Sequence, residues 1–117
     1  MEINLVNYRG HDSYSFTGRS EGEHTRKKIG LDKLDINPNH VIVRIPGDTT
    51  SINPSFFLGL FYESIKKLEL DRFKKKYEFS VDTDDKEMKT ILMGNIAEAI
   101  QYASNFANKK SGISSFI

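Results

Sequence analysis

Hydrophobic and polar positions are most sharply ordered between His40 and Leu68. HVIVRI, residues 40–45, concentrates β-branched residues after a Pro38-Asn39 turn, and reads as a central strand buried on both faces apart from Arg44. The small and polar GDTTSIN follows, then PSFFLGLFYESIKKL. Asn53 can cap a helix here, Pro54 can take its first position with φ already fixed, and Ser55 falls in its first turn. Phe57, Phe61, Ile65 and Leu68 recur at spacings of three and four, with Leu58 and Leu60 widening the stripe, which predicts a helix over about 54–68. Phe56 falls beside that stripe rather than within it.

The remaining patterns are shorter. Ile3 and Leu5 in EINLVN, and Tyr14 and Phe16 in SYSFT, alternate as in two short strands, with Arg9 to Asp12 as the turn of an opening hairpin. Ser20 lies three residues before Glu23, the spacing of a capping box, and predicts a short helix from Glu21 to Ile29 ended by Gly30. Gly22 and Thr25 are poor formers within it. Asp71 to Lys76 reads as a solvated linker or half-helix, and Tyr77, Phe79 and Val81 alternate as a strand over 77–82. Thr83 or Asp84 can cap a last helix, whose apolar face of Met88, Ile91, Leu92, Ile96, Ala99, Ala103 and Phe106 extends to about Ala107. The expected architecture is α/β, a small mixed β-sheet packed against about three helices, with one domain over 1–107 and a flexible tail over 108–117.

The run HVIVRIPGDTTSINPSFFLGLFYESI resembles the central strand, loop and helix of a STAS-like domain, in particular the small bacterial proteins described as STAS-like domains of unknown function. GRSEGEHTRKKI is similar to the helix that precedes that strand, and the resemblance covers about residues 14–106. It implies a STAS-like fold and a non-catalytic regulatory role, with a protein partner such as a kinase-like ATPase or an anti-sigma-type regulator. In the related anti-anti-sigma factors, the serine at this helix start is phosphorylated by a partner kinase and controls docking. Ser55 is the matching position, and a phosphate there would gain from the unpaired N–H groups of the first turn. Those proteins resemble Asp-Ser-Ser-Gly at this point, whereas this chain has Asn53-Pro54-Ser55-Phe56. The expected docking surface comprises Phe56 and Leu60 as apolar contacts, Asn53 and Ser55 as polar ones, and Asp48 and Ser51 at the rim.

Charge qualifies this picture locally. With 17 Lys and Arg against 16 Asp and Glu, the net charge of +1 supplies no global field to attract nucleic acid. Lys66, Lys67, Arg72, Lys74, Lys75 and Lys76 are nevertheless clustered, with Phe73 and Tyr77 interleaved. They form an alternative nucleic-acid surface in which cations hold phosphates and aromatic rings stack on bases. Leu70, Phe73 and Tyr77 also have the spacing of residues that cover a core.

A chain of 117 residues, 38% hydrophobic and 28% charged, fits one folded domain. The absence of cysteine excludes disulfides, thiolate nucleophiles and cysteine zinc sites. His11, His24 and His40 fall in separate elements without metal-ligand spacing, and Gly18 to Gly22 lacks the phosphate-loop pattern. Asp82, Asp84 and Asp85 are too closely spaced for a calcium loop. The chain is therefore read as non-enzymatic, with no cofactor or metal. MEINLVNYRG has neither a basic n-region nor a long apolar run, so the expected location is cytoplasmic, without membrane contact. The edge of the opening hairpin would permit a homodimer by strand pairing.

Overall fold

HVIVRI supplies the axis of the fold. In the computed structural model, which describes residues 1–9 and 15–115 and the side chains as far as Ala107, β3 (Val41–Pro46) lies between β1 (Glu2–Asn4) and β5 (Tyr77–Asp82). Both ladders are parallel, with Ile3 and Phe79 flanking Val43. Val41, Val43 and Ile45 enter the core, whereas Ile42 and Arg44 are only half-buried. The strand is thus central, but it is not buried on both faces. On its second face Arg44 joins Glu2 at 2.6 Å and Asp82 at 3.1 Å, so ion pairs rather than an apolar layer span the three strands there.

The expected hairpin does not form. β2 (Ser15–Phe16) pairs in parallel with β4 (Ser51–Ile52) in a separate two-stranded sheet, while β1 pairs with β3. Ile3 is drawn into the central ladder, and a 3-10 turn over Leu5–Tyr8 then buries Leu5 instead of reversing the strand. Gly10 to Tyr14, most of the expected turn together with Tyr14 of the second strand, lie outside the described residues. Parallel neighbours need crossovers, and helices supply them here. The result is a small α/β fold with parallel strands packed against several helices.

Two of those helices meet backbone to backbone. α1 (Arg19–Ile29) begins before Ser20, which therefore lies inside the helix and makes no capping box; Gly18 is the N-cap. Gly30 ends it as expected, donating to the Arg26 carbonyl at 3.0 Å, and α2 (Leu31–Asp35) follows directly. Gly22, a poor helix former by propensity, has a packing reason: a Cβ on it would lie 2.1 Å from the Phe56 carbonyl oxygen. The contact is reciprocal, because a Cβ on Gly59 would lie 2.1 Å from the Arg19 carbonyl oxygen.

Phe56 and Gly59 belong to α3 (Pro54–Lys76), which packs between α1 and α4 (Lys86–Ser115). Every residue from Phe56 to Tyr62 is buried, so this helix has no single polar side. Its regular path breaks at Glu69, where φ is 67° and ψ 160°, close to the expected end at residue 68. Beyond the break, Leu70 to Lys76 form a further helical stretch that buries Phe73. Phe61, Phe73, Tyr77 and Phe79 then close an aromatic cluster between α3 and β5, with ring centroids 5.1–6.3 Å apart.

Asp85, rather than Thr83 or Asp84, caps α4 by accepting from the N–H groups of Glu87 and Met88. Ile91 is exposed and lies off the core face, which is formed by Leu92, Ile96, Ala99, Ile100 and Ala103. The helix continues past Ala107 to Ser115, so the expected tail is helical over 108–115. No proline interrupts that stretch, and extending a helix costs far less than nucleating one.

The close approach predicts an asymmetry between glycines. Gly59→Ala should destabilise the fold by about 1–3 kcal/mol or more through overpacking. Gly94→Ala, in open space on α4, should be neutral or stabilising by up to about 1 kcal/mol. Urea denaturation of both variants checks this, and equal midpoints would contradict the contact.

Candidate functional site

The start of α3 is built from its cap. Asn53 Oδ1 accepts from the Ser55 N–H at 2.8 Å and from the Ser55 hydroxyl at 2.6 Å, leaving Ser55 half-buried in the first turn. Ser51 is exposed on β4. Asp48 is also exposed, but it receives both terminal nitrogens of Arg9, at 2.6 and 3.2 Å. The hydrogen bond from Arg9 holds its carboxyl below the usual range. Asn53 and Ser55 therefore form the helix start and Asp48 lies in the turn after β3, whereas Ser51 opens the short strand β4.

The two apolar residues do not serve as surface contacts. Phe56 is 3% exposed and Leu60 1%, which corrects their expected place in an interface. The β2–β4 pairing brings Phe16 to 5.2 Å from the Phe56 ring, and α1 covers the helix at Gly59. The side of α3 outside the Phe57 stripe is core as well.

A polar network that sequence reasoning missed lies deeper. Arg26 Nη1 donates to the Leu60 carbonyl at 3.0 Å and the Ser64 hydroxyl at 2.7 Å, while Nη2 donates to Asp32 at 2.6 Å and Asp35 at 2.7 Å. The second Asp35 oxygen accepts from Ser64 at 2.7 Å and from Tyr77 at 2.6 Å. Lys67 Nζ stands 3.8 Å from Asp35. Burial by itself would lower the Arg26 pKa, but the hydrogen bonds and charges of Asp35 and Asp32 outweigh it and raise it. Hydrogen bonding to Arg26, with its charge, lowers that of Asp32. Burial, followed by the bond to Asp35, pushes the Tyr77 hydroxyl well above the ordinary phenol range. One signal was present: Ser64 interrupts the Phe57-Phe61-Leu68 stripe at a core position, three residues after Phe61 and four before Leu68.

Beside this network, the structure brings together four of the six clustered cations. Lys67, Arg72, Lys75 and Lys76 line a cleft of about 620 Å³ with Asp35, Leu68 and residues 36–40. Lys66 instead lies over the Tyr62 ring, 6.0 Å from its centroid, and Lys74 is exposed away from the cleft lining. Phe73 and Tyr77, expected as stacking faces, are 0% and 2% exposed and belong to the core. The arrangement offers positive charge without aromatic platforms.

Compared with protein-family models, curated proteins and solved structures, the chain matches none. Among the described residues, no three or more His, Asp or Glu side chains converge as a metal site, and no helix is long and apolar enough to cross a membrane.

The network makes an alkaline prediction. The fold holds the Tyr77 phenol neutral, whereas the unfolded chain ionises it near pH ~10. Its stabilising contribution is therefore fully present below about pH 10 and declines as the pH rises above that value. Between about pH 8 and 11, wild-type protein should lose more stability than Tyr77→Phe in urea titrations. Identical losses would mean that Tyr77 ionises freely in the folded chain.

Proposed function

We propose that this chain is a non-catalytic regulatory module of the STAS-like kind, which docks a protein partner in the cytoplasm through the loop and helix start around Ser55. One observation carries the reading: a serine hydroxyl stands in the first turn of the helix that follows the central strand, hydrogen-bonded to the capping Asn53. Phosphorylation would replace that bond with a group of charge about −2 beside the unpaired N–H groups of the turn, changing the surface without unfolding the helix. The resemblance favours a kinase-like ATPase or an anti-sigma-type regulator as the partner.

With Phe56 and Leu60 inside the core, the docking surface is polar, formed by Asn53 and Ser55 with Asp48 and Ser51 at its rim. A surface lacking a buried aromatic anchor suits weak, reversible docking rather than a permanent complex. The alternative of nucleic-acid binding through the basic-aromatic segment 66–77 retains phosphate contacts but lacks the stacking faces that would hold bases.

Affinity capture from the native host with wild type, Ser55→Ala and Ser55→Glu tests the proposal, each variant being checked for folding by circular dichroism. A stoichiometric partner should be retained by wild type and Ser55→Ala and depleted about tenfold or more by folded Ser55→Glu, a loss of about 1.4 kcal/mol. Equal capture by all three would exclude Ser55 as the control point.

A further inference from the structure

The cleft beside Asp35 shares no lining residue with the Ser55 surface, and its chemistry points to a different ligand. We propose that it is a binding site for a small phosphate-bearing molecule, held by Lys67, Arg72, Lys75 and Lys76.

Surplus positive charge is the first argument. Four cations line the cleft against one carboxylate, Asp35, which Arg26 engages at 2.7 Å and Lys67 approaches at 3.8 Å. Arg72 and Lys75 have no ion pair among the described residues. A singly charged carboxylate would leave much of this field unmatched, whereas a phosphate or diphosphate would answer it. Arg72 can present a planar fork to two phosphate oxygens, and the lysines act as point charges around it.

Preorganisation is the second. Lys76 Nζ donates to the Asn37 carbonyl and, at 2.8 Å, to the Asn39 carbonyl. The Asn39 N–H donates to Asn37 Oδ1 at 2.8 Å, and His40 Nδ1 lies 3.1 Å from the Lys75 carbonyl oxygen. The 36–40 loop is thereby tied to the far end of α3, so one wall of the cleft is fixed before a ligand arrives.

The break at Glu69 is the third. On an unbroken helix Lys67 and Lys76 would point about 180° apart, since nine residues make two and a half turns. With the path interrupted between them, both line one cleft. The interruption places Glu69, itself outside the cleft lining, in a backbone region that only glycine enters without strain.

Size and surroundings favour a small ligand over a nucleic acid. A cavity of about 620 Å³ falls within the range of small-molecule sites, about 300–1,000 Å³. Neither Phe73 nor Tyr77 is available to stack a base.

Isothermal titration of the full chain with inorganic pyrophosphate tests the proposal, alongside an Arg72→Gln/Lys75→Gln variant, a Lys74→Gln control and a single-stranded oligonucleotide. Both residues of the double variant are exposed, so its thermal unfolding should match wild type. The expected result is saturable binding at one site, weakened about tenfold or more in the double variant and unchanged in Lys74→Gln. No saturable binding, equal affinity in the double variant, or tighter binding to the oligonucleotide than to pyrophosphate would overturn it.

Discussion

The side chain of Asp35 has no exposed surface, and taking a carboxylate out of water costs several kcal/mol unless close partners replace its hydration. Here the partners come from three other elements: Arg26 from α1, Ser64 from α3 and Tyr77 from β5. Arg26 is equally constrained, since its guanidinium is buried and must find acceptors at Leu60, Ser64, Asp32 and Asp35 together. It reaches them because α1 and α3 touch at Gly22 and Gly59, where no Cβ fits. Side chains on either glycine would force the helices apart and draw Arg26 away from its acceptors. Close packing and buried charge are thus one constraint expressed twice.

That constraint also orders the surface. Because Arg26 and Lys67 answer the charge of Asp35, Arg72 and Lys75 beyond the break in α3 keep their charge for the cleft. The same helix begins at the Asn53 cap, with Ser55 in its first turn and Phe56 already in the core. One helix therefore carries a polar start and a basic end, separated by a stretch buried from Phe56 to Tyr62. The two proposed sites are chemically independent, and loss of one leaves the other testable.

Much of the architecture was legible in the sequence wherever a local rule governed it. β-Branched HVIVRI gave the central strand, Asn53-Pro54 the start of α3, and the alternation of Tyr77, Phe79 and Val81 the strand β5. What escaped was decided by partners distant in the chain. A strand-turn-strand pattern at the amino-terminal end could not reveal that β1 and β2 would pair with β3 and β4 rather than with each other. Helical periodicity put Phe56 beside the main stripe, but it could not show that Phe16 and α1 would cover that side too. The Ser55 position was readable from the capping pattern, whereas the cleft depends on a backbone break and a loop thirty residues earlier that no spacing links.

The most direct test of this account is a double-mutant cycle on the buried pair, using Arg26→Met, Asp35→Asn and the combined variant in equilibrium unfolding. Arg26→Met strands the Asp35 charge and should cost about 3–5 kcal/mol. If the pair organises the helices as described, the combined variant should lose less than the sum of the two single losses, by about 2 kcal/mol or more. Additive losses would contradict the account, because Arg26 and Asp35 would then contribute independently of one another.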